Sequence, residues 1–369
     1  MTLLKKITKY IPVVSMVIIV LAIIAAGLNV AFIASPAFAD WFNEGISNFF
    51  RGFLAMLTAW IPFSLAEFII LGSPFIILWV IVGAIKSASR SDRHFVRVIV
   101  GILSAALAIY VIFVFNFAAG YRGSTVDEKL GLEAAPVSAE ELHHTMNIVV
   151  EKLNELESQI TYADEIGSVR PYSHRETVKK LHESYALLSL EHDFIGIVKA
   201  PVKQIVISEI MTYTHISGVY SFFTGEANLN TNYPYYVNVF TTAHEMAHQR
   251  GIARENEANF IAYLVCINSS DPYIQYAGYL SMYDYLAMPL YKASPALYSK
   301  SVRNLCDGAK YDEKCYSEFF DKYRDNVAAE VSDTVNDTYL KVQGTEGSVS
   351  YGMVVDLAVA YYKDQFPTE

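Results

Sequence analysis

The chain is poor in cysteine and has no surplus of positive charge, and each shortage removes a class of protein. Three cysteines in 369 residues, Cys266, Cys306 and Cys315, rule out a disulfide scaffold and any four-cysteine zinc site. A Cys306–Cys315 bridge stays open if this part of the chain faces an oxidising compartment, and Cys266, within an apolar run, reads as a buried thiol. Residues 1–118 hold eight Lys/Arg and four Asp/Glu, a net +4, so the rest of the −10 chain carries −14. Polyphosphate binding needs dense Lys/Arg patches, so no nucleic-acid partner is expected. There is no internal repeat and no low-complexity segment.

Long apolar runs, in contrast, are present. They cover residues 11–33, 63–85 and 98–117, each long enough at 1.5 Å per residue to cross a ~30 Å hydrocarbon core. The first follows Lys5, Lys6 and Lys9 and reads as a retained anchor. The alternative is a signal peptide cut near Ala37-Phe-Ala39, but its apolar core is usually only about 7 to 15 residues. Residues 41–62, with Trp41, Phe42, Phe49, Phe50, Trp60 and Arg51, suit an interfacial amphipathic segment, and Glu67 is expected at the interface. The loop 86–97 is basic, as is the N-terminus two crossings earlier, and positive charge is retained on the cytoplasmic side. Three crossings that start inside end outside. Residues 1–118 therefore read as a membrane domain in the lipid bilayer, and 119–369 as an extracytoplasmic domain.

In that second half, Ser138-Ala-Glu-Glu141 and Ser173-His-Arg-Glu176 are capping boxes opening helices to about residues 159 and 190. Residues 202–208 and 218–224 read as short strands, 225–234 as turn-rich, and 235–241 as an apolar approach to the stretch that follows. Helices are expected over 254–267, 272–288, 294–305, 312–339 and 350–362, with Pro289 ending the second of these. An exposed edge strand in the small sheet would hold an extended peptide by main-chain pairing.

One stretch implies chemistry: His244-Glu-Met-Ala-His248 is HExxH. Positions i and i+4 share a helix face, so both imidazoles reach one Zn²⁺, while Glu245 is placed as a general base. Gly251, three residues on, suits a left-handed helix cap that reverses the chain. A catalytic zinc needs a third protein ligand and an open position. A third His six residues beyond the second would mark a metzincin, but Arg254 stands there. Glu255 and Glu257 are the nearby carboxylates, and at about 200° apart on a helix they cannot both face one ion.

Glu255-x-x-Ala258-Asn259 resembles the E-x-x-A-[D/N] signature of gluzincin-type membrane peptidases. That resemblance implies Glu255 as the ligand and Asn259 as a group orienting a ligating side chain, with Glu257 the fallback. The departure is spacing, since Glu255 follows His248 by only seven residues. Together with the three spans, Thr224-Gly-Glu-Ala-Asn-Leu-Asn230 and Ser350-Tyr-Gly352, the pattern resembles a family of uncharacterised bacterial membrane proteins with a zincin-like site.

The expected fold is α+β, mainly helical, with three N-terminal transmembrane helices before a zincin-like domain that carries a small β-sheet. The expected function is a membrane-anchored zinc metallopeptidase acting on peptides or proteins outside the cytoplasmic membrane. Its zinc would be held by His244, His248 and Glu255, and its base would be Glu245. The competing readings are a zinc-stabilised receptor or sensor, and a transport or assembly subunit whose membrane helices carry few ionisable groups. Tyr276, Tyr279, Tyr283 and Tyr351 are available to an oxyanion, but among 26 tyrosines none is assigned. Glu226 and Asn228 are weighed as cleft residues against solvated turn residues. His143, His144, His174, His182, His192 and His215 lack ligand spacing.

Overall fold

The computed structural model describes residues 8–88, 91–133, 135–347 and 353–366. Two parts of the chain fold around separate interiors: residues 1–123 with Ser221–Glu226, and 124–220 with 227–369. The short segment Ser221–Glu226 thus belongs to the first unit, although its sequence position lies within the second.

The first unit contains α1 (Val13–Ala34), α2 (Pro36–Phe42), a π-helical turn at Asn43–Ser47, α3 (Asn48–Ala59), α4 (Leu65–Ala88) and α5 (Asp92–Asn116). Three of these, α1, α4 and α5, are long and apolar enough to cross a membrane. Their outward faces expose Ile23, Phe75, Trp79 and Ile109, as side chains in contact with lipid rather than water would. Where α1 meets the end of α5, Ala25, Phe32, Phe42, Val114 and Ala119 form a small core in which the alanines admit close packing.

Three side chains expected at the interface are buried within the protein. Phe42 is buried against Phe32, their ring centroids 4.9 Å apart. Arg51 is fully buried and donates to Asn43 Oδ1 (2.8 Å), Asn43 O (2.9 Å) and Asn116 O (2.7 Å). A guanidinium offers five donors, so one side chain satisfies carbonyls left free where helices end and widen. Glu67, in the first turn of α4, is also buried.

Ser221–Glu226 packs in this unit through main-chain and carboxylate contacts. Asn116 donates to Phe222 O (3.2 Å) and Thr58 to Thr224 O (3.3 Å). Both oxygens of Glu226 accept from the first N–H groups of α4, Leu65 at 3.2 Å and Ala66 at 2.9 Å. An acidic side chain there satisfies orphan donors and meets the positive end of the helix dipole.

The second unit runs α6 (Val126–Leu130), α7 (Ala139–Leu156), β1 (Tyr162–Ala163), β2 (Gly167–Ser168), α8 (His174–Glu191), β3 (Val202–Gln204), α9 (Ser208–Thr212), β4 (Gly218–Ser221) and β5 (Glu226–Leu229). It continues through α10 (Tyr235–Gln249), α11 (Glu255–Ile267), α12 (Pro272–Ala293), α13 (Pro295–Asn304), α14 (Asp307–Asp321), α15 (Val327–Val342) and α16 (Val354–Tyr362). Helices α10, α11 and α12 pack on one another, with α7 against α12, around Met146, Val239, Phe260, Ile261, Leu280 and Leu286. The three-stranded sheet has the order β3-β5-β4, with β3 and β5 parallel and Val202 opposite Ala227. The Ser138–Glu141 capping box forms in full, whereas at the second site Ser173 accepts from Glu176 N–H without the return bond to the Glu176 carboxylate.

Several boundaries differ from the sequence reading. Residues 205–208 leave the sheet, because Ser208 turns its hydroxyl back onto Ile205 O (2.6 Å) and opens α9. Within the expected turn at 225–234 lies the central strand β5. The approach at 235–241 forms the first turns of α10. Helix α12 runs through Pro289 to Ala293; only one ladder bond is lost at proline, and the next residue, Leu290, is anchored in the core. The helix expected over 312–339 is two, interrupted before Asn326, which caps α15 through Ala329 N–H. Ser350, Tyr351 and Gly352 lie outside the described residues. Cys266, Cys306 and Cys315 are free thiols. Cys306 caps α14 and Cys315 lies nine residues along that helix, ~13 Å of rise against the ~6 Å a bridge allows.

Replacing Glu226 with Ala is expected to lower stability by about 1–2 kcal/mol through loss of the α4 cap. Thermal unfolding of the full chain in detergent measures it, and an unchanged midpoint would show that the carboxylate is dispensable there.

Candidate metal centre

Helix α10 carries HExxH, and the turn after it decides what else reaches the same point. Gly251 adopts φ +93°, a conformation open to glycine. Gly251 N–H donates to His248 O (2.9 Å) and Ile252 N–H to Ala247 O (3.2 Å), the paired bonds of a Schellman cap. The chain reverses within three residues and re-enters a helix at Glu255, the first residue of α11. A seven-residue spacing therefore suffices.

His244 Nε2 and His248 Nε2 lie 3.2 and 3.5 Å from the same oxygen, Glu255 Oε2. One donor atom from each of His244, His248 and Glu255 falls within 4.8 Å of the others, and no other such group occurs among the described residues. A tetrahedral zinc with bonds of ~2.0–2.1 Å spaces its ligands by roughly 3.3 Å, so the triad fits one. The three side chains are 12%, 8% and 13% exposed, which leaves one side of the cluster open.

The surrounding groups fit a metal as well. His248 Nδ1 donates to Ile252 O at 2.7 Å, which leaves Nε2 as the lone-pair donor facing Glu255. This carbonyl is placed by the Gly251 turn itself. Asn259 approaches the His244 ring and favours its charged form, although His244 Nδ1 makes no hydrogen bond of normal length. Glu245 is buried, and its Oε2 has no partner among the described residues. A buried carboxylate oxygen left unpaired is costly unless a further group completes it.

The electrostatics follow from burial and proximity. Burial pushes the Glu245 carboxyl up to about 8, with Glu255 adding to it. Burial alone would lower His248, but the Glu255 carboxylate outweighs it and holds the imidazolium up to about 9. Glu255 is held well below the usual carboxylate range, against its own burial, chiefly by His248. His244 is lowered by burial and by its charged neighbour.

Glu257, the fallback, is engaged elsewhere. It accepts from Arg254 at 2.7 Å and from Val126 N–H at 3.2 Å. Other groups near the motif left no signal in the sequence. Gly218, at the start of β4, runs so close to α10 that a Cβ there would lie 2.5 Å from Glu245 Oε1. The buried Arg250 guanidinium stacks 3.9 Å over Tyr185 and donates to Met246 O (2.9 Å) and Val198 O (2.8 Å), closing the C-terminal end of α10. Tyr285 feels the charge of Glu255, which together with burial raises its hydroxyl.

The remaining candidates lie apart from the triad. Tyr276 donates to Asp312 Oδ2 (2.7 Å), and Tyr279 and Tyr283 are buried in the core. Tyr351 lies outside the described residues. Glu226 caps α4, and Asn228 donates to Val219 O (3.0 Å) within the sheet, so neither is a solvated turn residue. His143, His174, His182 and His215 bond to Ser301, Val202 O, Ala200 O and Tyr323 O. His144 stacks near Phe366 and His192 near Phe194.

A family model described as "Protein of unknown function (DUF3810)" matches residues 42–359. The chain belongs to that family. The matched span takes in α3 to α5 and nearly all of the second unit, including HExxH, Gly251 and Glu255. No curated protein and no solved structure matches the chain.

Two outcomes are expected of the cluster. Glu255→Ala abolishes stoichiometric zinc, measured by elemental analysis, whereas Glu257→Ala keeps zinc and loses stability through loss of the Arg254 ion pair and of the acceptor for Val126 N–H. The reverse would make Glu257 the ligand. The second concerns pH. Glu245 and His248 hold protons in the metal-free fold above their ordinary values of 4.5 and 6.5, so the stability they lend is complete below those values. It falls as pH rises through about 8 and 9. Zinc takes the place of the His248 proton, so the gap in unfolding temperature between zinc-loaded and zinc-free protein should widen from about pH 6 to pH 9. A constant gap would contradict it.

Proposed function

We propose that this protein is a membrane-anchored zinc metallopeptidase with a zincin-like domain, hydrolysing peptide bonds outside the cytoplasmic membrane. The observation that carries the reading is Glu245. A structural zinc needs ligands only, yet beside the His244, His248, Glu255 cluster lies a buried carboxylate with an unpaired oxygen.

His244, His248 and Glu255 would hold the ion through Nε2, Nε2 and Oε2. Bound there, Zn²⁺ supplies Lewis-acid polarisation of a carbonyl and makes water easier to deprotonate. Glu245 takes a proton from the attacking water and later delivers it to the amine nitrogen as the C–N bond breaks. Burial favours the protonated carboxyl, which suits the delivery of a proton to the leaving amine. The edge strand β4, drawn against Glu245 by Gly218, offers main-chain groups to an extended peptide. The basic segment 86–97, at the junction of α4 and α5, supports an N-terminus inside and a catalytic unit outside.

The test is the full chain in detergent, loaded with zinc and incubated with a diverse peptide library beside Glu245→Gln. Zinc content should be equal in both, and cleavage should fall by roughly 10²- to 10⁴-fold in the variant. Stoichiometric zinc with no cleavage by either protein would sink the peptidase reading and leave a zinc-stabilised receptor.

A further inference from the structure

Beside the metal cluster, α10, α12 and α14 enclose a cavity of 440 Å³ lined by Thr241, Asp284, Tyr285, Glu313 and Tyr316, among others. Thr241 precedes Glu245 by one helical turn, ~6 Å. Tyr285, which also lines the cavity, feels the Glu255 charge. The cavity therefore begins beside the reacting centre.

Its floor is acidic. Asp284 and Glu313 lie within hydrogen-bond reach of one another, and no Lys, Arg or His is among the groups that shift them most; His215, which also lines the cavity, is bonded to Tyr323 O. A third carboxylate close by, Asp312, is satisfied by Ser168 N–H and the Tyr276 hydroxyl. Asp284 is crowded by protein atoms, yet its side chain is exposed to solvent at the cavity. Crowding by protein, then the neighbouring Glu313, raises the Asp284 carboxyl; burial and the nearby Asp312 raise Glu313, against its hydrogen bond with Asp284.

A second, independent observation concerns the walls. Tyr233 and Tyr236 line the cavity at 6% and 1% exposure, and among the described residues neither hydroxyl makes a hydrogen bond of normal geometry. The Tyr236 hydroxyl is turned toward Asp284. Glu313 Oε1 is likewise buried and unpaired. Buried polar atoms without partners mark a place where a polar group is missing.

We propose that this cavity is a substrate subsite for a cationic side chain, Lys or Arg, held by Asp284 and Glu313 and walled by Tyr236, Tyr285 and Tyr316. This rests on the peptidase reading above. Aromatic walls with an acidic floor suit an organic cation, whose stem packs on rings while its head pairs with carboxylates. A hard divalent ion is disfavoured, since it wants six or more oxygens and two carboxylates are free.

The test uses full-length Glu245→Gln protein in nanodiscs, zinc-loaded, titrated calorimetrically with hexapeptides in which a single Lys, norleucine or Glu is walked through each position. At one position Lys should bind about tenfold tighter than norleucine, with Glu weaker than both. Adding Asp284→Asn and Glu313→Gln should collapse that difference, in protein whose zinc content and unfolding midpoint show it folded. Equal binding of Lys and norleucine everywhere, or a Lys preference that survives the two substitutions, overturns the subsite. Cleavage of the same peptides by the unsubstituted protein separates the two readings. Lys-selective binding without cleavage removes the peptidase and keeps the subsite, whereas cleavage blind to Lys removes the subsite alone.

Discussion

The left-handed turn at Gly251 is the constraint on which the site depends. Two histidines on one helix face define only an edge of a coordination sphere, and the third donor must return from outside that helix. With Glu255 only seven positions after His248, the return is possible only if the chain reverses at once. The Schellman bonds at His248 O and Ala247 O make that reversal, and they satisfy carbonyls at the end of α10 that would otherwise be orphaned. The same turn sets Ile252 O against His248 Nδ1, so one backbone conformation supplies both the third ligand and the orientation of the second.

Around this point the protein keeps charge in an unusually buried setting. Glu245, His248 and Arg250 are buried; His248 pairs with Glu255 and Arg250 donates to Val198 O, while one oxygen of Glu245 has no hydrogen-bond partner among the described residues. Removing charge from water is expensive, and close pairing offsets much of that expense. Without metal, His248 and Glu255 serve as each other's counter-ion, which holds the ligands near one another before an ion arrives.

How much of this was legible in the sequence depends on whether the deciding partners are near in sequence. HExxH, Gly251, the two capping boxes and the three apolar runs are local patterns, and their elements form where those patterns lie. Strand β5 was not legible, because Glu226 and Asn228 are poor strand formers. What holds them is distant: the N–H groups of Leu65 and Ala66 for the first, Val219 O for the second. Arg51 looked interfacial for the same reason, since its acceptor at Asn116 lies 65 residues away. Asp284 and Glu313 sit on different helices with nothing in either segment to link them. Pro289 misled in the other direction, because Leu290 holds α12 together beyond it.

The acceptor that orients His248 belongs to the main chain, and this sets how the site tolerates change. Exchanging the side chain at Ile252 leaves its carbonyl in place, so the tautomer of the second histidine is insulated from point substitution there. Adding or deleting a residue between His248 and Glu255 is another matter: it would displace the carbonyl and the carboxylate together. Variation in this segment should therefore be free in spelling and strict in length.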